Sequence, residues 1–164
     1  EYTRWVNVWA EVRGWLLKVA PIVTPSHSVN VIGMQYTDIF LWKADPSTLL
    51  LSEVLSAQST YLPSHVFQTS SLWHSHHGFF EKQQTEPIAH DLLENINVNM
   101  LDSSGQRSLQ IVSSHRATLT NPIWDIGHLA TALDQLMPHL HNRNKRVLRN
   151  LLTPAVQAKI KLQP

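Results

Sequence analysis

Apolar residues recur at helical spacing through Trp5, Val8, Trp9, Val12, Trp15, Leu16 and Val19, which predicts an amphipathic helix over residues 2 to 20. Pro21 is expected to close it, and the TPSH run to form a loop. The period then changes to two. VNVIGMQYTDIFLWK, rich in β-branched and aromatic residues, predicts a strand over Val29 to Lys43. Its even positions Ile32, Met34, Tyr36, Phe40 and Trp42 form an apolar row interrupted by Asp38. A turn and a short helix are expected in KADPSTLLLSEVLSA, broken by Tyr61-Leu62-Pro63, with a second strand from about Val66 to Lys82.

DLLENINVNML alternates: Leu92, Ile96, Val98 and Met100 on one face, Asn95, Asn97 and Asn99 on the other. DSSGQR supplies a turn at Gly105, and SLQIVSSHRATL the antiparallel partner, so a hairpin spans Leu92 to Leu119. From Ile123 the helical period returns through Ile126, Leu129, Leu133, Leu136, Leu140, Val147, Leu148 and Leu151. Asp125 or Asn121 can cap this helix, Pro138 should kink or split it near Met137, and Thr153-Pro154 starts a last short helix. The elements predict an α+β class: an antiparallel sheet of about four long strands packed with an N-terminal helix and a long, Pro-interrupted C-terminal helix.

Composition sharpens this picture. The 164 residues are 43% hydrophobic and 15% charged, well short of the usual quarter charged. With six Trp, four Phe and three Tyr, the chain is expected to hide apolar surface against a partner or another part of itself. The net charge of +1 creates no field for nucleic acid or anionic membrane, and no apolar run approaches the ~18 residues of a membrane span. Zero Cys removes disulfides, thiol catalysis and Cys-type zinc sites, and fits a cytoplasmic setting. The start at Glu1, without Met and inside a helical pattern, leads to the expectation of a single α+β domain over 1–164 that forms the C-terminal portion of a longer chain.

Ten histidines raise the question of metal. In SSLWHSHHGFFEK, strand alternation puts His74 and His76 on one face and His77 on the other. A His-x-His pair supplies two ligands, with His115, His90 or Asp38 as the third by position. The plainer reading is half-exposed strand imidazoles bonded to serines, water or each other. His139 and His141 diverge by roughly 200° on a helix. No Gly-x-Ser-x-Gly elbow and no phosphate-binding glycine loop occurs. Ser113, Ser114 and His115 adjoin by composition as readily as by design. Nothing in the sequence pairs any two of the carboxylates Asp38, Glu81, Glu86, Asp91 and Glu94.

The run HLHNRNKRVLRN places Arg143, Lys145, Arg146 and Arg149 within two helical turns, either a phosphate-contacting patch or a solvated helix end. Trp42, Trp73 and Phe80, beside His74 and His76 on the strand, are the candidate partner-binding residues.

YTRWVNVWAEVRGWLLKV, VNVIGMQYTDIF and LHNRNKRVLRNLLTPAVQAKI together resemble the C-terminal part of a sporadically distributed bacterial family of uncharacterised proteins. Tyr2 and Trp5 match the aromatic residue and Trp that open a helix there. Gln35-Tyr36-Thr37-Asp38 matches its strand core, and Leu140-His141, Asn144, Leu148 and Thr153 its end. Gln35 stands where the family has Arg and Asp38 where it has Asn, so the resemblance does not carry a site built around that pair. It implies a further N-terminal α+β portion, no catalytic activity, and a mobile-element or defence-associated setting.

The expected function is therefore a non-enzymatic protein-interaction or scaffold module, with a protein partner or a second copy, no cofactor and no membrane. Two alternatives stand beside it: a nucleic-acid-associated component using the basic helix 143–149, and a metal-dependent protein using His74 and His76.

Overall fold

Period-two patterning becomes four strands, and the helical stripes become the layer that covers one of their faces. The computed structural model describes residues 4–43, 45, 48, 50–83 and 88–162. Helix α1 runs Trp5–Val23 and strand β1 Val29–Leu41; a single-turn helix α2 covers Leu51–Val54. Strands β2 (His74–Gln83), β3 (His90–Ser103) and β4 (Gln106–Ile123) follow, then the long helix α3 (Ile126–Leu151) and the short α4 (Pro154–Lys159). The class is α+β, and the sheet is antiparallel throughout, in the order β1-β4-β3-β2. Among the described residues, no helix is long and apolar enough to cross a membrane.

The β3–β4 hairpin is the most regular unit, paired from His90↔Leu119 to Ser103↔Gln106. Its turn needs left-handed backbone at two positions, Ser104 at φ 54° and Gly105 at φ 81°. Asp102 Oδ1 accepts from the Gly105 N–H at 3.0 Å and closes the loop.

Several boundaries need correction. The second strand begins at His74, not near Val66, because Ser64–Gln68 coils into a 3-10 turn that buries Val66. Pro21 does not end α1, which continues to Val23. Of the two outcomes expected at Pro138, a kink or a split, the split does not occur: α3 runs unbroken across it. A proline lacks an N–H to donate, yet the stripe on either side keeps the helix seated: Leu136, Leu140 and Leu151 are fully buried. Each contributes about 2 kcal/mol of apolar burial. Asp125 caps α3 by accepting from His128 N, and Thr153 caps α4. The first strand stops at Leu41, short of Lys43.

Among the described residues, one face of the sheet is covered. Even positions of β1 and β3 and odd positions of β2 and β4 point toward α3 and the connecting segments. Two apolar clusters fill that interface. One gathers Ile96, Val98, Met100, Ile111, Val147, Leu151 and Leu55; the other gathers Ile32, Leu92, Ala117, Leu133, Leu136 and Leu140. The bridge Leu55↔Leu152 ties the α2 segment to the end of α3.

Candidate functional site

A row of polar side chains crosses the sheet between the two apolar clusters. Register explains it. Met34, His115, Glu94 and Phe79 sit opposite one another across the four strands, and Tyr36, Ser113, Ile96 and His77 form the adjacent row. Glu94 and His115 are thus direct cross-strand neighbours on the covered face, and both are buried.

Glu94 Oε1 accepts from His115 Nδ1 at 2.8 Å. From α3, Arg143 closes on the carboxylate in a fork: Nε to Oε1 and Nη2 to Oε2, each 2.9 Å. The same guanidinium reaches Glu81 on β2 at 2.9 Å. Burial pushes the Glu94 carboxyl up, but the hydrogen bonds from His115 and Arg143 outweigh it and hold the group at about 2. Arg143 is raised by its hydrogen bond to Glu94, against the opposing effect of burial. Asn144, buried on α3, accepts from Ser113 Oγ and stands 3.5 Å from His115 Nε2.

Ser113, His115 and Glu94 superficially suggest a nucleophile, a base and an orienting acid. Two facts exclude that chemistry. Ser113 and His115 are both 0% exposed, so no substrate meets them. The Ser113 hydroxyl donates to Asn144 and not to the imidazole. What the network does is register α3 on the sheet, because one arginine joins strands β2 and β3 to the helix.

Imidazoles flank the row. Tyr36 OH and His141 Nδ1 are hydrogen-bonded at 2.7 Å, and the His141 ring stacks on Trp5 with centroids 4.4 Å apart. Burial lowers His141, with Lys145 adding to the effect. His139 is lowered by burial and then by His90, and its ring meets the edge of His90. His77 stacks on Tyr61 at 5.7 Å and is lowered by burial and His76. Asp38 interrupts the apolar row of β1 as expected; its Oδ2 is buried without a partner, and burial raises it.

The proposed metal pair is on the opposite side of the sheet. His74 and His76 are exposed on the outer face, whereas His115, His90 and Asp38 belong to the covered face. None of those three can therefore complete a site with them, because successive strand residues point to opposite faces. Among the described residues, no group of three His, Asp or Glu side chains is placed to hold a metal ion.

The basic run divides in the same way. Arg143 is drawn into the interface by Glu94 and Glu81, so it is not part of a phosphate-facing patch. Arg146 is exposed, and Lys145 and Arg149 are half-buried. Among the aromatic candidates, Trp73 packs against the core and Trp42 is half-buried along a cleft of about 400 Å³ that Phe40, Met100 and Lys159 also line. Phe80 is 77% exposed on the outer face. Glu86 and Tyr2 lie outside the described residues.

Among the described residues, α1 carries more exposed large apolar side chains than any other element. Helix α1 packs through Trp5, Trp9, Leu17 and Ala20, and is pinned by the forked Arg13–Asp134 pair to α3. Beside that packed side runs a second apolar stripe: Val8, Val12, Trp15, Leu16, Val19, Ile22 and Val23, with Trp15 at 67% and Ile22 at 77% exposed. The sequence pattern put Trp5, Trp9 and Trp15 near one face; the structure separates Trp15 from the other two. Comparison with family models, with curated proteins and with solved structures finds no match to this chain.

Proposed function

We propose that this chain is a non-enzymatic protein-interaction module of the cytoplasm. The observation that carries the reading is the outer stripe of α1, seven large apolar residues on one exposed helix face. A lone exposed leucine means little, but a continuous stripe on a chain with 15% charged residues is surface kept for another protein. The polar network supports the reading from the other direction, since its histidine and serine are sealed from solvent and its carboxylate is committed to Arg143. The nucleic-acid reading loses Arg143 to that pair. The resemblance to an uncharacterised bacterial family, which implies no activity, agrees with a binding role.

The test is capture of partners from the native host by the wild-type chain and by a Val12→Glu/Val19→Glu variant, with solution mass measured beside it. A partner held by the wild type and lost from the folded variant supports the reading. A chain that is strictly monomeric and retains nothing contradicts it.

A further inference from the structure

Resting on the interaction reading, the geometry points to a specific occupant of the α1 stripe: the α1 helix of a second copy of this chain, lying antiparallel. Val8, Val12, Trp15, Val19 and Ile22 are spaced four, three, four and three residues apart, the heptad seam of paired helices. All five are at least 38% exposed. With Val12 and Val19 at the a positions, Val8, Trp15 and Ile22 fall at d. The face that packs on α3 uses Trp9, Leu17 and Ala20, at e, f and b, together with Trp5, an a position one heptad before Val12 that stacks on His141, so the free seam starts at Val8.

Charge decides the direction. Glu11 and Lys18 occupy the two g positions beside the seam, and neither makes an ion pair among the described residues. In a parallel pair, g residues face the partner's e residues, here Leu16 and Val23, so both charges would lie against apolar side chains. In an antiparallel pair, g faces g. Setting Val12 against Trp15 of the second copy, and Val8 against its Val19, brings Glu11 to its Lys18 and Lys18 to its Glu11. The two-fold axis repeats each contact, and a large ring meets a small side chain in the central layers. The seam from Val8 to Ile22 is roughly 21 Å long. About four helical turns make a short contact, so the pairing is weak and reversible.

The test is sedimentation of the full chain from roughly 1 to 200 µM, a range suited to such weak pairing. Wild type is expected to pass from monomer to dimer. Glu11→Lys and Lys18→Glu each place like charges at both g contacts and should weaken the dimer roughly tenfold. Mixing the two variants restores opposite charges across the seam and should restore wild-type association as a heterodimer; so should the double reversal in one chain. Both sites are exposed, and an unchanged melting curve confirms that the variants fold. A wild-type chain that stays monomeric overturns the pairing, and partner capture through Val12 and Val19 then reports separately on the interaction reading. Dimers indifferent to the reversals also overturn it and move self-association to another face.

Discussion

Replacing Glu94 by Gln keeps the size of the side chain and removes its charge, which isolates what the carboxylate does under α3. Three hydrogen bonds from charged or polar donors converge on it, two from Arg143 and one from His115. An amide can accept some of them, but its own N–H2 faces donors, and among the described residues Arg143 keeps the Glu81 carboxylate, whose side chain is 39% exposed. Breaking a buried pair from one side costs about 3–5 kcal/mol. A domain of this size is held by roughly 5–15 kcal/mol, so the variant should fold with a visibly lower urea midpoint. Tryptophan fluorescence at pH 7 reads that midpoint. The Glu94→Met/Arg143→Met variant should cost at least about 2 kcal/mol less than the sum of its single changes, because no buried charge is left alone.

The acid limb gives a second readout. Glu94 is held at about 2 against an ordinary 4.5, worth about 3 kcal/mol. A depressed carboxyl contributes fully above its unfolded value, and the contribution is lost as pH falls from 4.5 toward 2. The wild type should lose stability over that window and Glu94→Gln should lose far less. A Glu94→Gln cost below about 1 kcal/mol, with an unchanged acid slope, would refute the assigned role.

Other consequences are as concrete. His77, His139 and His141 are all lowered by burial from 6.5, so the folded chain binds fewer protons than the unfolded one. Stability should be complete above pH 6.5 and decline below it, seen as a falling melting temperature between pH 7.5 and 5.5 in roughly physiological salt. Asp38→Asn removes a buried oxygen's unpaired charge and should raise stability at pH 7 by about 1 kcal/mol in urea titration; a loss would mean that an unseen partner holds it. Thr153→Ala removes both the α4 cap and the 2.9 Å bond to Glu53 O, and should cost about 1 kcal/mol in the same assay.

Strand faces and helix stripes were legible because their periods differ. The β3–β4 hairpin, the Asp125 and Thr153 caps and the isolation of His77 from His74 and His76 all follow from alternation and capping chemistry. Boundaries set by tertiary packing were less so: Pro21 and Pro138 are carried inside helices whose apolar sides are already seated. The Glu94–Arg143 pair was available in principle. Glu94 shares the parity of Leu92 and Ile96, and Arg143 stands three residues from Leu140 and four from Val147, so both lie on core-facing positions. A carboxylate and a guanidinium on two buried faces require each other. What no period reveals is the register between strands, and register is what sets His115 beside Glu94 and puts His90 and Asp38 on the face of the sheet opposite His74 and His76.

The α1 stripe as a self-contact surface is tested most directly by distance between copies. The chain has no cysteine, so single spin labels report one site each. A side chain at Gly14 meets nothing within 4 Å, and Asn7 is exposed, so Gly14→Cys and Asn7→Cys are both tolerated. In the antiparallel register the two Gly14 positions are offset by about 2 Å along the helix axis and the two Asn7 positions by about 20 Å. Pulsed dipolar spectroscopy should therefore find a short inter-copy distance at residue 14 and a clearly longer one at residue 7. Equal distances at the two sites, or none at all, would contradict the pairing.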